Sequence, residues 1–295
     1  MIDLSVKLLH PGKTLKPVNM KNILIATDFS PAARCATRYG IKLAAQLNAK
    51  VSLVGAYEPL PVPVSDEPDM VNPDDMEDLI MERLTEEAEL HTLPGSPHID
   101  VYSRKGATAE AILAVAKKWP ADLIITGMKE HGNEFRRLFG SAVTGLANKT
   151  FAPLLVVPEG TEYQAPTNIV IANDFVPKTQ IGIPPFLRWM AGEVKAKLTV
   201  IRFLGNRAAE VIEIMDYSSN LRRITGVISP LEEIPYNGHA TDMLTNYVAE
   251  HHGNLLAMPV HHQSLMERWL AGNGSMEEIF ETRVPFLLLP ENGWN

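Results

Sequence analysis

Asn22-Ile23-Leu24-Ile25-Ala26-Thr27-Asp28-Phe29-Ser30-Pro31 decides how this chain is read. The apolar run Ile23 to Ala26 is short and bounded by polar residues, as in a strand buried on both faces. Asp28 ends it. Ser30 followed by Pro31 opens a helix, because serine caps the free N–H groups of a first turn and proline is preset for that turn. Ala36, Tyr39, Ile41, Leu43 and Leu47 then give residues 32–47 a helical apolar face.

Working outward, the same alternation continues. Lys50 to Ala56 reads as a strand, and Glu58 to Asp75, with Pro59, Pro61, Pro63, Pro68 and Pro73, as a loop or lid. A polar helix follows from Asp74 to Leu93, then a strand from Ile99 to Arg104 and a helix from Ala107 to Lys118. Ala121 to Thr126 is a buried strand running into Gly127, Ser141 to Thr150 a helix, and Pro153 to Val157 the last strand. Strand and helix in strict alternation predict a parallel sheet with helices on both faces.

Beyond a polar linker, Glu159 to Thr167, the pattern restarts. Asn168 to Ala172 repeats the first strand and Asp174-Phe175 repeats Asp28-Phe29. Lys197 to Phe203 repeats the second strand, and Gly253 to Met258 matches Ala121 to Thr126. Val284 to Pro290 matches the last strand, and both copies close on P-x-L-x-x-P-E, ending at Glu159 and Glu291. The internal repeat predicts duplication. Residues 1–19 form an extension, with Met20 a natural chain start. Residues 20–158 form the first domain, 159–167 a linker, 168–290 a second domain and 291–295 a tail.

Composition agrees with two ordinary globular cores: 295 residues, 45% apolar and 21% charged. The formal charge of -8 argues against a nucleic-acid or anionic-membrane footprint, and the basic pairs Lys117-Lys118, Arg136-Arg137 and Arg222-Arg223 are too short to reverse that. The single cysteine, Cys35, permits no internal disulfide and reads as a small buried hydrophobe in a reducing compartment, the cytoplasm. No run is long enough for a membrane helix. His239, His251, His252, His261 and His262 crowd one region, but neighbouring histidines do not face one way, and no metal site is expected. Asp74, Asp75, Glu77 and Asp78 read as a solvated helix start.

In an open parallel sheet, ligands bind beyond the carboxyl ends of the strands. Ala26-Thr27-Asp28, Gly127 and Gly140-Ser141 converge there. Gly140 allows close backbone approach, and the N–H groups of Ser141, Ala142 and Val143 at a helix start suit an anion. Arg136 and Arg137 approach the same turn.

With Asp28 included, the chain resembles a tandem universal stress protein. The resemblance rests on Ile23 to Ser30, Ala107 to Ala116, Ile124-Ile125-Thr126-Gly127, Leu138-Phe139-Gly140-Ser141 and Pro153 to Pro158. It implies an adenine-nucleotide alpha-hydrolase-like, Rossmann-like fold with two domains packed as a pseudo-dimer through their last strands, Leu154 to Val157 and Phe286 to Leu289. The family's ATP-binding members carry G-x2-G-x9-G-[ST]. Gly127, Gly140 and Ser141 match its outer positions, while Glu130 holds the middle one and Gly132 stands two residues later. The resemblance implies that Ala26, Thr27 and Asp28 meet the nucleoside and Ala56 the adenine edge. Gly127, Gly132, Gly140, Ser141 and Ala142 would hold the phosphates of ATP, AMP or ADP, with Mg²⁺ accompanying ATP.

Aligned from Pro290, the second copy has Pro259 in place of Gly127, His262 at the middle position and Gly272-Asn273 in place of Gly140-Ser141. Weak or absent binding is expected there. The implied function is nucleotide-dependent regulation in the stress response through a protein partner. A scaffold that binds no nucleotide, and slow ATP hydrolysis beside Ser141, Arg136 and Lys129, are the alternatives. Pairing of two chains into a homodimer is left open.

Overall fold

The computed structural model describes residues 22–58, 73–92, 97–129, 141–173, 185–204, 228–235, 246–260 and 284–290. The first half runs β1 (Asn22–Ala26), α1 (Pro31–Leu47), β2 (Lys50–Tyr57), α2 (Pro73–His91), β3 (Ile99–Lys105), α3 (Thr108–Lys118), β4 (Leu123–Met128), α4 (Ser141–Lys149) and β5 (Leu154–Pro158). The second runs β6 (Asn168–Asn173), α5 (Pro185–Val194), β7 (Lys197–Leu204), β8 (Ile228–Pro235), β9 (Leu255–Val260) and β10 (Phe286–Pro290). α5 and β8 were not expected from the sequence, and β4 extends past its expected end to enclose Gly127.

The strands form one sheet in the order β3-β2-β1-β4-β5-β10-β9-β6-β7-β8. Pairing is parallel within each half and antiparallel only between β5 and β10, where Phe286, Leu287 and Leu288 face Val156, Leu155 and Leu154. The halves therefore meet through their last strands, β5 and β10, as the resemblance implied. The two halves also match in detail at the strand starts. Asn22 donates its backbone N–H to Asp122 Oδ2 (3.0 Å) and its side-chain amide to the Pro120 carbonyl (2.9 Å). Asn168 repeats both bonds, to Asn254 Oδ1 (3.2 Å) and to the His251 carbonyl (3.0 Å).

Alternation along buried strands divides the core into two layers. Ile23 and Ile25 pack with Ala36, Tyr39 and Leu43 of α1 and Leu84 of α2, a layer continued by Ile169, Ile171 and Leu287. Leu24 and Ala26 pack with Ile112 of α3 and Leu146 of α4, continued by Val170, Phe286 and Leu288. Fully burying each such side chain is worth about 1.5–3 kcal/mol, so the uninterrupted layers tie the halves together. No helix among the described residues is long and apolar enough to cross a membrane.

The expected linker is pinned rather than loose. The Cys35 thiol donates to the Thr161 carbonyl at 3.0 Å. Tyr163 meets Tyr39 edge-on, with ring centroids 4.9 Å apart, and its hydroxyl donates to Gln46 Oε1. Burial pushes the Tyr163 phenol up to about 12. The N-terminal extension and the C-terminal tail lie outside the described residues.

Candidate functional site

The strand order places β1 and β4 side by side, yet the chain leaves β1 toward β2 and β3, and leaves β4 toward β5. Connections therefore diverge between these two strands, which opens a crevice at their carboxyl ends. Ala26 ends β1, opposite Val54 of β2 and Thr126 of β4. Ala56 lies further along β2, paired with Arg104. The crossover helix α4 starts at this same edge, because it must run back against the strands it connects. Topology thus brings Ala26, Thr27, Asp28, Ala56, Gly127, Ser141 and Ala142 to one edge. The Ser141 side chain, Gly132, Gly140, Glu130, Arg136 and Arg137 lie outside the described residues.

The turn after β1 is fixed at every residue. Thr27 is buried and donates its N–H to the Val54 carbonyl at 2.9 Å, which extends the β1–β2 ladder. Its Oγ1 accepts the Phe29 N–H at 3.0 Å. Asp28 Oδ1 accepts the Ser30 N–H, also at 3.0 Å. Ser30 Oγ caps α1 by accepting the Ala33 N–H at 3.3 Å. Phe29 takes a φ of 63°, a left-handed conformation that is an outlier for an aromatic residue. The Arg83 guanidinium of α2, 4.0 Å from the centroid of its ring, covers it. The result is a rigid turn that presents Asp28 outward.

Burial alone would raise the Asp28 carboxyl, but the Ser30 hydroxyl and N–H and the charge of Lys129 outweigh it and hold it below its ordinary value. Lys129 Nζ stands 3.7 Å from Asp28 Oδ2, with the two side chains 53% and 63% exposed respectively. One carboxylate and one ammonium thus face each other at the carboxyl ends of β1 and β4. Sequence reading named Lys129 only beside the phosphates. Its pairing with Asp28 follows from strand order, which the sequence does not print.

Gly127 has a packing role. A Cβ there would stand 2.3 Å from the Ala32 carbonyl oxygen and 2.7 Å from the Ala33 nitrogen. Only glycine lets β4 and the first turn of α1 approach so closely. In the second half, Pro259 lies opposite Leu289 in the same register that sets Gly127 opposite Val157. Proline therefore occupies the glycine position, as the alignment predicted. When the helices are aligned on Leu47 and Val194, Pro185, the first residue of α5, falls at Arg38 in the middle of α1. Asp174, His262, Gly272 and Asn273 lie outside the described residues.

Other polar groups serve the fold. Glu77 Oε2 accepts from the Tyr57 hydroxyl at 3.1 Å and Glu77 Oε1 from Ser103 at 3.2 Å, which seats α2 on the sheet. His251 stacks on Tyr247 with ring centroids 3.9 Å apart. Among the described residues, no three histidine, cysteine or acidic side chains gather as metal ligands would. His239, His261 and His262 lie outside them.

A family model, the universal stress protein family, matches residues 19–158. Universal stress protein A of Escherichia coli K12 is 32% identical over 143 residues, spanning 47% of this chain and 94% of that protein. A universal stress protein of Archaeoglobus fulgidus has a similar fold at 13% identity, covering 91% of this chain and 96% of its own with a TM-score of 0.66. A universal stress protein of Arabidopsis thaliana, solved with AMP bound, matches 48% of this chain and 92% of its own at 12% identity and a TM-score of 0.34.

Proposed function

Because the chain belongs to the universal stress protein family, we propose that residues 20–158 bind an adenine nucleotide in the crevice between β1 and β4, and that residues 168–290 are a partner copy that does not. The observation that carries this reading is the rigid Thr27–Ser30 turn, which holds an ionised Asp28 opposite Lys129 at the point where the connections diverge. A carboxylate fixed in that position suits the hydroxyls of a ribose, because an ionised acceptor makes a stronger hydrogen bond than a neutral one. Ala26, Thr27 and Ala56 would line the nucleoside side. Gly127, Gly132, Gly140, Ser141 and Ala142 would take the phosphates, with N–H groups at the start of α4 as donors. ATP would bring Mg²⁺ with it.

Pro259 supports loss of the site in the second half. Proline has no N–H to offer and a fixed φ. The proposed role is regulatory: nucleotide occupancy in one half sets a conformation read by a protein partner, in the cytoplasm, where a lone reduced Cys35 is at home. To test it, the protein is purified without added nucleotide and denatured, and any released small molecule is identified by mass spectrometry. Release of an adenine nucleotide supports the reading. No release, together with no ATP binding at millimolar concentration, refutes it and favours the scaffold. Phosphate release during the same titration would reveal slow hydrolysis.

A further inference from the structure

A cavity of about 420 Å³ lies where the two halves meet, and it shares no residue with the crevice between β1 and β4. Its volume is that of a small-molecule site. Each part of the chain gives it a wall: Tyr39 on α1, Glu162 in the linker, His252 before β9, and Val284 and Pro285 before β10. Those walls are held in place. Asn254 Oδ1 accepts the Thr167 and Asn168 N–H groups at 2.9 and 3.2 Å, and its amide donates to the Ala165 carbonyl at 2.8 Å. At the other end of the linker, the Cys35 thiol holds Thr161.

Tyr39 is only 2% exposed, and its hydroxyl has no hydrogen-bond partner among the described residues. Burial, with the Tyr163 phenol beside it, pushes its ionisation up. The hydroxyl therefore stays protonated, able to donate and to accept. Buried polar groups are nearly always paired, yet this one belongs to a cavity wall. Packing does not call for it: with α1 and α5 aligned on Leu47 and Val194, Phe186 stands at the position of Tyr39 and joins the same core layer without a hydroxyl. Among the described lining residues, with histidine neutral, Glu162 carries the one full charge. Its side chain is exposed and makes no ion pair among the described residues. A cation is drawn to such a cavity and an anion repelled.

We infer that this junction cavity is a second ligand site, for a small organic ammonium: a primary amine on an apolar body. The ammonium donates to the Glu162 carboxylate and to the Tyr39 hydroxyl oxygen, and the body lies against Val284 and Pro285. Because both halves and the linker line the cavity, its occupant ties the linker across the join of β5 and β10. The site stands whether or not the crevice takes a nucleotide.

The test is titration of the full chain with benzylamine, benzyl alcohol and benzoate, followed by backbone amide NMR. Benzylamine is expected to shift the amides of Gly160 and Gly253, which line the cavity, and to bind more tightly than the alcohol, with benzoate weakest. Tyr39→Phe keeps the ring and removes the hydroxyl. Its urea midpoint does not fall, because an unpartnered buried hydroxyl adds nothing to the fold, while benzylamine affinity falls by about tenfold. Glu162→Gln brings the amine down to the level of the alcohol. Three results would each overturn the inference: no benzylamine binding at millimolar concentration, shifts confined to residues away from the cavity, or an amine affinity unchanged in either variant.

Discussion

Replacing Gly127 with alanine adds one methyl group where the chain has no room for it. The new Cβ would stand 2.3 Å from the Ala32 carbonyl oxygen, 2.4 Å from its carbon and 2.7 Å from the Ala33 nitrogen. All three are backbone atoms of the first turn of α1, so no side chain can rotate aside. Ordinary contact begins near about 3.5 Å, so helix and strand must separate by roughly an ångström. Overpacking of this kind costs about 1–3 kcal/mol, and a backbone obstacle puts Gly127→Ala at the upper end. Urea denaturation followed by circular dichroism reads the loss as a midpoint lowered by about 1 M or more. The same displacement drags Ser30 and Asp28 out of register, so nucleotide affinity falls as well. Gly192→Ala is the control: it lies in α5, a Cβ there meets nothing within 4 Å, and alanine in a helix gains about 0.5–1 kcal/mol. Opposite signs for one chemical change are expected. A Gly127→Ala midpoint within error of wild type would refute the packing argument.

Ser30→Ala removes the α1 cap and a partner of Asp28; about 1 kcal/mol of stability is lost, and the Asp28 titration, followed by carboxyl NMR, moves up toward its ordinary value. Because the folded carboxyl titrates below its ordinary 3.8, Asp28 contributes stability that is fully present above that value and is lost as pH falls through the lower folded value. Asp28→Asn flattens the acid limb of a stability-against-pH curve in that window, and an unchanged limb contradicts the assignment. Leu84→Ala, at a position with no exposure, costs about 2–5 kcal/mol in the same urea assay. Tyr163→Ala strips the linker of its contacts with Tyr39 and Gln46; limited proteolysis within residues 159–167 then accelerates, whereas equal rates would show that these contacts do not hold the segment.

What could be read in advance follows from burial. β1, β4 and β5 are covered on both faces and appear in sequence as short, mostly apolar runs. β8 is hidden because Ile228–Pro235 stands at the edge of the sheet among the described residues, bonded to β7 with a register shift between Leu198 and Val200. An edge tolerates Pro230, Glu232 and Glu233, residues that a central strand would reject. α5 is short and opens on a proline in the second half of the repeat, where its counterpart is already mid-helix. Asp28 was legible because strand end, turn and capped helix lie within ten residues of sequence. The contacts that tune it were not: Lys129 reaches Asp28 through strand order, and Arg83 reaches Phe29 from α2, after a long connection. The sequence marks Gly127 as a glycine at a strand end, but its contact with Ala32 depends on how closely a helix crosses a strand.

The proposed nucleotide site lies in the crevice beside Asp28, in the first half alone. Calorimetric titration of ATP into wild type and Asp28→Ala tests it most directly. One site per chain is expected in wild type, and none in Asp28→Ala. Two sites per chain, or binding that survives Asp28→Ala undiminished, would contradict it.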